Sequence, residues 1–271
     1  MKLQHDIQYP QHFEQNSWDK LKQFTDARIA LGRTGGSLPT RPLLEFQLAH
    51  AQAKDAVLKP LDIERLQQQL QSLPVPFVLV QSCAVDKDLY LKRPDLGREL
   101  SEPSRQTLKD LAVLKQHYDV LIVAGDGLSA RAIEDNAASF IEKLLAACKE
   151  QGWTVAPIVV ATGSRVALGD EIAQILQAQM LVMLIGERPG LSSPDSMGIY
   201  YTWQAQKGCH DAMRNCISNV RPAGLDEITA VQRLMALMRK SKQVQFSGVN
   251  LKDEHAMVIE QGQPKLQHGI F

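Results

Sequence analysis

Beyond Val75 the chain alternates between short apolar runs and longer amphipathic stretches. The runs cover residues 77–80, 120–124, 155–161 and 180–185 and are rich in valine, isoleucine and leucine. Between them, residues 102–115, 129–151 and 169–177 carry helical spacing. A strand with one wet face alternates apolar and polar residues, whereas one buried on both faces is apolar throughout. The pattern therefore predicts a parallel sheet covered by helices on both sides. A further strand is expected at 198–203. A helix over 225–239 closes the core, with Ile228, Val231, Leu234, Leu237 and Met238 on one side. The expected fold class is α/β, a doubly wound, mostly parallel, Rossmann-like sheet with a helical N-terminal extension.

The first 75 residues supply that extension. Asn16 or Ser17 starts a helix that carries Trp18, Leu21 and Phe24 at three-residue steps. A second helix is expected over 41–58, with Thr40 as its cap and Pro42 in its first turn. Its apolar positions Leu43, Leu44, Phe46, Leu48, Ala49 and Ala51 cover a broad face. A third runs over about 62–70 and stops before Pro74. The division expected is a helical extension over 1–75 and an α/β domain over 76–271, with a loosely ordered tail from Gln261.

Charge and composition exclude several partners. Thirty basic and thirty acidic residues cancel, so no net field draws nucleic acid or an anionic membrane. No apolar run approaches the roughly 20 residues that span a bilayer, and the first residues lack the apolar centre of a secretory signal. Cys83, Cys148, Cys209 and Cys216 are scattered and form no Cys-x-x-Cys pair. The chain reads as cytoplasmic. Its seven histidines show no zinc-type pairing with cysteine, and no metal site is expected.

In an open parallel sheet, ligands bind outside the carboxyl ends of the strands. Those ends fall at 81–83, 125–129, 162–166 and 186–190, which makes one shared binding rim. The loop Gly125-Asp-Gly-Leu-Ser-Ala130 fits the dinucleotide fingerprint G-x-G-x-x-G/A. Asp126, however, puts a carboxylate where a pyrophosphate would sit, and Ala161-Thr-Gly-Ser-Arg165 offers no acid for ribose hydroxyls. Arg165 favours a phosphorylated cofactor instead. The plainer reading is a tight turn with Ser129 as a helix cap. Glu187, in Gly186-Glu-Arg-Pro-Gly190, is either a solvated turn residue or a hydrogen-bond acceptor at a strand mouth. A lone Val166 reads as packing, and Cys216 by default as a small buried hydrophobe. There is no G-x-S-x-G elbow, and no catalytic residue is assigned. A nicotinamide-dependent oxidoreductase and a non-catalytic interaction module stay open as alternatives.

Five blocks carry a resemblance. They are DARIALGRTGGSLPT (26–40), KDLYLKRPDLGR (87–98), Asp126-Gly-Leu-Ser129, Gly186-Glu-Arg-Pro-Gly190 and Cys216-Ile-Ser-Asn219. In this order they resemble the small (light) subunit of ethanolamine ammonia-lyase over almost the whole chain. The resemblance implies adenosylcobalamin as cofactor and a large-subunit partner in a hetero-oligomer. That partner would hold substrate and radical chemistry while ethanolamine becomes acetaldehyde and ammonia. It further implies that Val166, Glu187 and Cys216 touch the cobalamin. Proteins that supply a histidine to cobalt carry D-x-H-x-x-G. Here Asp253-Glu-His255 is followed by Val258 where that glycine would stand, so the cofactor is expected to keep its own base on cobalt. Longer family members with a low-complexity leader are associated with a bacterial microcompartment. No such leader is visible ahead of the matching body, which makes free cytosol the other expected location.

Overall fold

The computed structural model describes residues 17–112 and 117–251. The readings made for Asn16, His5, His12, His255, His268 and the tail from Gln261, and the last residues of the helix expected over 102–115, lie outside them. Two compact units divide at Gln52 and Ala53.

In the first unit the segment Ser17–Phe24 is a 3₁₀ turn rather than the expected α-helix. A tight turn follows, in which Thr34 N–H donates to Ser37 O at 2.8 Å and Ser37 N–H to Thr34 O at 3.1 Å. Gly35 sits at its centre with φ +64°, a conformation that glycine adopts without steric cost. Helix α1 (Thr40–Leu58) begins at Thr40 itself, and Leu43 N–H donates back to Pro39 O. Leu44 and Leu48, expected on an apolar face, are exposed.

In the second unit, helix α2 (Ile63–Leu70) starts where Asp62 accepts from Arg65 N–H. It was expected within the extension, yet its buried Leu66 and Leu70 join the core of the sheet domain. The strands are β1 (Phe77–Gln81), β2 (Tyr118–Gly125), β3 (Ile158–Thr162), β4 (Ala178–Gly186), β5 (Met197–Trp203) and β6 (Arg214–Val220), and they form one sheet in the order β1-β3-β2-β4-β5-β6. β1, β3, β2 and β4 are parallel, β5 runs antiparallel to β4, and β6, antiparallel to β5, returns to the direction of β4. The sheet is thus mixed α/β, less parallel than the sequence pattern implied. The cause lies in the links: 187–196 and 204–213 contain no α-helix, and a parallel return needs a crossover of a dozen or more residues.

Helices cover both faces. On one lie α2, α5 (Ala130–Glu150) and α7 (Glu227–Val244), which bury Val120, Ile122 and Ala124 of β2. On the other lie α4 (Glu102–Ala112) and α6 (Leu168–Leu176), over Leu121 and Val123 of the same strand. Because both alternating sets are buried, the run is apolar throughout. Helix α5 is set by its cap, since Ser129 accepts from Ala132 N–H, and it stops before Gly152 at φ +68°. Its Phe140, Ile141 and Leu144 are fully buried, each worth about 1.5–3 kcal/mol of burial. In α7, Val231, Leu234, Leu237 and Met238 face the core as expected, but Ile228 is 60% exposed. Among the described residues, no helix is long and apolar enough to cross a membrane.

Candidate binding rim at the strand ends

Asp126 ties two strand ends together. Its Oδ1 accepts from Gly127 N–H and Ser164 N–H, both at 2.9 Å, and its Oδ2 from Gly163 N–H at 3.0 Å. Burial pushes its pKa up, against the pull of those three N–H groups and of Lys87. Close behind, Leu128 N–H donates to Gly186 O and the Ser129 hydroxyl to Pro194 O. A Cβ at Gly186 would lie 2.0 Å from Ser129 O, so the start of α5 is closed over by the end of β4. The glycine-rich loop spends the N–H groups of Asp126, Gly127 and Leu128 on the fold itself. A carboxylate of the chain takes the N–H groups of Gly127, Gly163 and Ser164, which are therefore not left for a phosphate.

One strand further on, the rim is open. Val166 lies in the turn from β3 to α6, Glu187 follows β4, Tyr200 is on β5 and Cys216 on β6. Val166, Glu187 and Tyr200 line a concavity of about 440 Å³, together with Tyr90, Leu128 and Arg165. Cys216 is the register partner of Tyr200 across the β5–β6 pair. Its side chain is exposed, not buried as its residue type suggested. Burial first, then the Cys216 thiol and the Glu187 carboxylate, push the Tyr200 hydroxyl up to about 12, so it stays a neutral phenol at neutral pH. The three residues expected at the site therefore gather around Tyr200, which sequence reading missed. Tyr200 and Tyr201 are neighbours that β-alternation sends to opposite faces, and nothing in the string says which one reaches the rim.

Glu187 is held by one oxygen only. Its Oε2 accepts from the Ser196 hydroxyl and, at 3.2 Å, from Asn219 N–H. Its Oε1 lies over Gly198, where a Cβ would come within 2.8 Å. Among the described residues that oxygen accepts no hydrogen bond, so the carboxylate is positioned while half its acceptor capacity stays unspent.

The matched run 87–98 now gains a role. Helix α3 (Lys87–Lys92) follows Asp86, which accepts from Leu89 N–H. It buries Tyr90 beneath the Arg165 guanidinium, 4.0 Å from the ring centroid, and Arg165 Nη2 donates to Tyr90 O at 2.9 Å. Lys87 Nζ donates to Gly127 O at 2.8 Å. Gly97 O accepts from Arg165 N–H at 2.8 Å, and a Cβ at Gly97 would lie 2.8 Å from Arg165 Cγ. This run supports the turn that carries Arg165 and Val166. A second concavity of about 650 Å³ shares Arg165, Val166 and Tyr200 with the first. Its floor is a two-pronged Arg214–Asp170 pair, both contacts 2.6 Å and both side chains 2% exposed. Among the described residues no cluster of histidine, cysteine and carboxylate groups could hold a metal ion.

Known proteins agree with one another. The family model for the ethanolamine ammonia-lyase light chain matches residues 15–252. The ethanolamine ammonia-lyase small subunit of Pseudomonas fluorescens (strain Pf0-1) is 53% identical over 241 residues, 89% of this chain and 88% of that one. The small subunit from Pseudomonas aeruginosa (strain UCBPP-PA14) is 49% identical over 95% of each chain. That from Ralstonia nicotianae is 51% identical over 90% of this chain and 91% of its own. Matches this extensive, covering the open rim as well as the core, establish that the chain belongs to the small (light) subunit family of ethanolamine ammonia-lyase, a carbon–nitrogen lyase.

Proposed function

We propose that this chain binds and positions adenosylcobalamin in an ethanolamine ammonia-lyase complex, with Val166, Glu187 and Cys216 as its contacts. The observation that carries the reading is the unspent Glu187 Oε1 at the mouth of β4. The periphery of a corrin bears neutral carboxamides, whose N–H groups need acceptors as well as their oxygens needing donors. A carboxylate anchored through one oxygen fits that need. Val166 adds an apolar wall and Cys216 an exposed, neutral thiol beside Tyr200. When bound, the cofactor supplies the radical that abstracts hydrogen from ethanolamine. This chain holds and orients, and none of its residues is assigned a catalytic step. On this reading residues 76–271 form a cobalamin-binding domain, and the Rossmann-like parallel part, β1 to β4, delivers two of the three contacts.

The partner we infer is the large subunit, which carries substrate and the radical chemistry. The relatives are named small subunits, and Trp18, Leu44 and Leu48 present large apolar side chains to solvent at 63%, 58% and 60% exposure. The complex works in the cytoplasm, inside a bacterial microcompartment where one encloses it.

The test is ammonia release from ethanolamine with adenosylcobalamin and the cognate large subunit, with and without this chain. Activity that needs this chain, together with visible cobalamin absorbance that stays with the complex on a sizing column, supports the reading. Full activity without it, in a competent assay, removes the role.

A further inference from the structure

We infer that the buried Arg214–Asp170 pair is a positioning device for the rim. It fixes the start of α6, and with it Val166, against the two strands that carry Tyr200 and Cys216. Its role depends on the corrinoid reading of the rim, and it brings in two residues that act through the expected contacts rather than as contacts.

The two faces of the sheet hold β5 and β6 in different ways. Towards α5 and α7, Ile199, Tyr201, Trp203, Ile217 and Val220 enter an apolar core. Towards α6, the core joins Leu168 and Ile172 to Leu121 and Val123 of β2 and to Leu181 and Met183 of β4. Neither β5 nor β6 gives that core a buried apolar side chain, and Tyr200 packs against it only half-buried. The buried side chains of the two strands on this face are Thr202 and Arg214. Apolar packing therefore binds α6 to β2 and β4, whereas its join to β5 and β6 is made largely by charge.

That join has a narrow geometry. Arg214 Nη1 and Nη2 each donate to a different Asp170 oxygen. Nη1 also reaches Thr202 Oγ1 at 3.4 Å, and Nη2 donates to Cys209 O at 2.9 Å. On the α6 side, Asp170 lies in the first turn, where the N–H groups of Gly169 and Asp170 donate back to Val166 O and Ala167 O. On the strand side, Arg214 stands two residues before Cys216 and so shares its face of β6. Arg214 pairs in register with Thr202, as Cys216 does with Tyr200. One bridge thus runs from the Val166 turn to both strands. A buried ion pair adds little stability over a well-packed apolar pair. What two parallel bonds from one guanidinium contribute is a fixed plane and separation, and the precision of a binding site is set by such supports behind its contacts.

The experiment uses the assembled complex and two readouts: its thermal midpoint without cofactor, and cobalamin affinity by visible absorbance well below that midpoint. A merely structural pair moves the first and not the second. The apolar double variant Asp170→Leu with Arg214→Met removes the fork and leaves no unpaired charge. Its midpoint is expected to stay within about 3 °C of wild type, while cobalamin binds about tenfold more weakly. Arg214→Lys keeps the charge but loses the fork, and is expected to weaken binding about threefold. Wild-type affinity in the double variant would make the pair a packing element and overturn the proposal. Where the double variant does not assemble, Arg214→Lys decides: weakened binding in a folded complex supports the device, and unchanged binding overturns it. A wild-type complex that retains no cobalamin refutes the function proposed for the rim, a failure distinct from unchanged affinity in the variants.

Discussion

The loop after β2 and the rim formed by β4, β5 and β6 are neighbours with opposite hydrogen-bond economies. At Asp126 three N–H donors converge on one buried carboxylate, and Gly186 seals the helix start behind it. At Glu187 one oxygen is tied down and the other left open, and Tyr200, with Cys216 as its register partner, lines the same concavity. The first region has the glycine spacing of a ligand loop and closes on itself. The second has no spacing motif and keeps unspent acceptors and donors. Binding capacity lies where polar groups remain unsatisfied, and a glycine pattern alone does not report that.

The largest effect that sharpens the contrast comes from Asp126→Ala. It strands three N–H groups, two of them where Gly163 and Ser164 meet the β2 loop, and is expected to cost about 3 kcal/mol or more in urea unfolding. A cost below about 1 kcal/mol would break the picture of a closed structural knot. Glu187→Ala should show the reverse profile. Cobalamin affinity in the complex falls by about 1–3 kcal/mol, while stability changes by less than about 1 kcal/mol. Unchanged affinity would remove Glu187 from the site.

A pH series gives a smaller signal with a definite sign. Burial raises the Asp126 pKa above its ordinary value, so the folded chain holds that proton more tightly than the unfolded chain. The stability linked to it is whole below the unfolded pKa and is lost as pH rises through the raised, folded one. The deficit of Asp126→Asn relative to wild type should therefore shrink as pH rises above about 4. A deficit that grows instead would mean that the N–H groups outweigh burial. The smallest expected change is Cys216→Ser, within about threefold in cobalamin affinity, since the thiol offers contact rather than charge. A loss beyond about tenfold would contradict that role.

Most of the sheet was legible because β2, β3 and β4 are buried on both faces and read as unbroken apolar runs, and the half-buried edge strand β1 is apolar from Phe77 to Val80. β6 was not, because Arg214 and Ile217 point inward between exposed Cys216, Ser218 and Asn219, and a polar edge strand carries little apolar signal. The antiparallel turn of β5 was also hidden, since strand direction depends on link length and not on the strand's own residues. At the site, Glu187 and the strand mouths were visible from position along the sheet, whereas Tyr200 and the stacking of Arg165 on Tyr90 depend on three-dimensional neighbours. Val166 and Cys216 came from family likeness, and the structure places both beside Tyr200. Ile228 was misread because helical spacing marks a stripe and not its edge.

The central claim is that the open rim, and not the glycine-rich loop, receives the cofactor. Amide hydrogen exchange on the assembled complex, with and without cobalamin, tests it most directly. The account predicts new protection at Val166, Ala167 and the amides near Glu187 and Tyr200, with Gly127 to Ala130 unchanged. Protection confined to 125–130, with the rim unaffected, would contradict it.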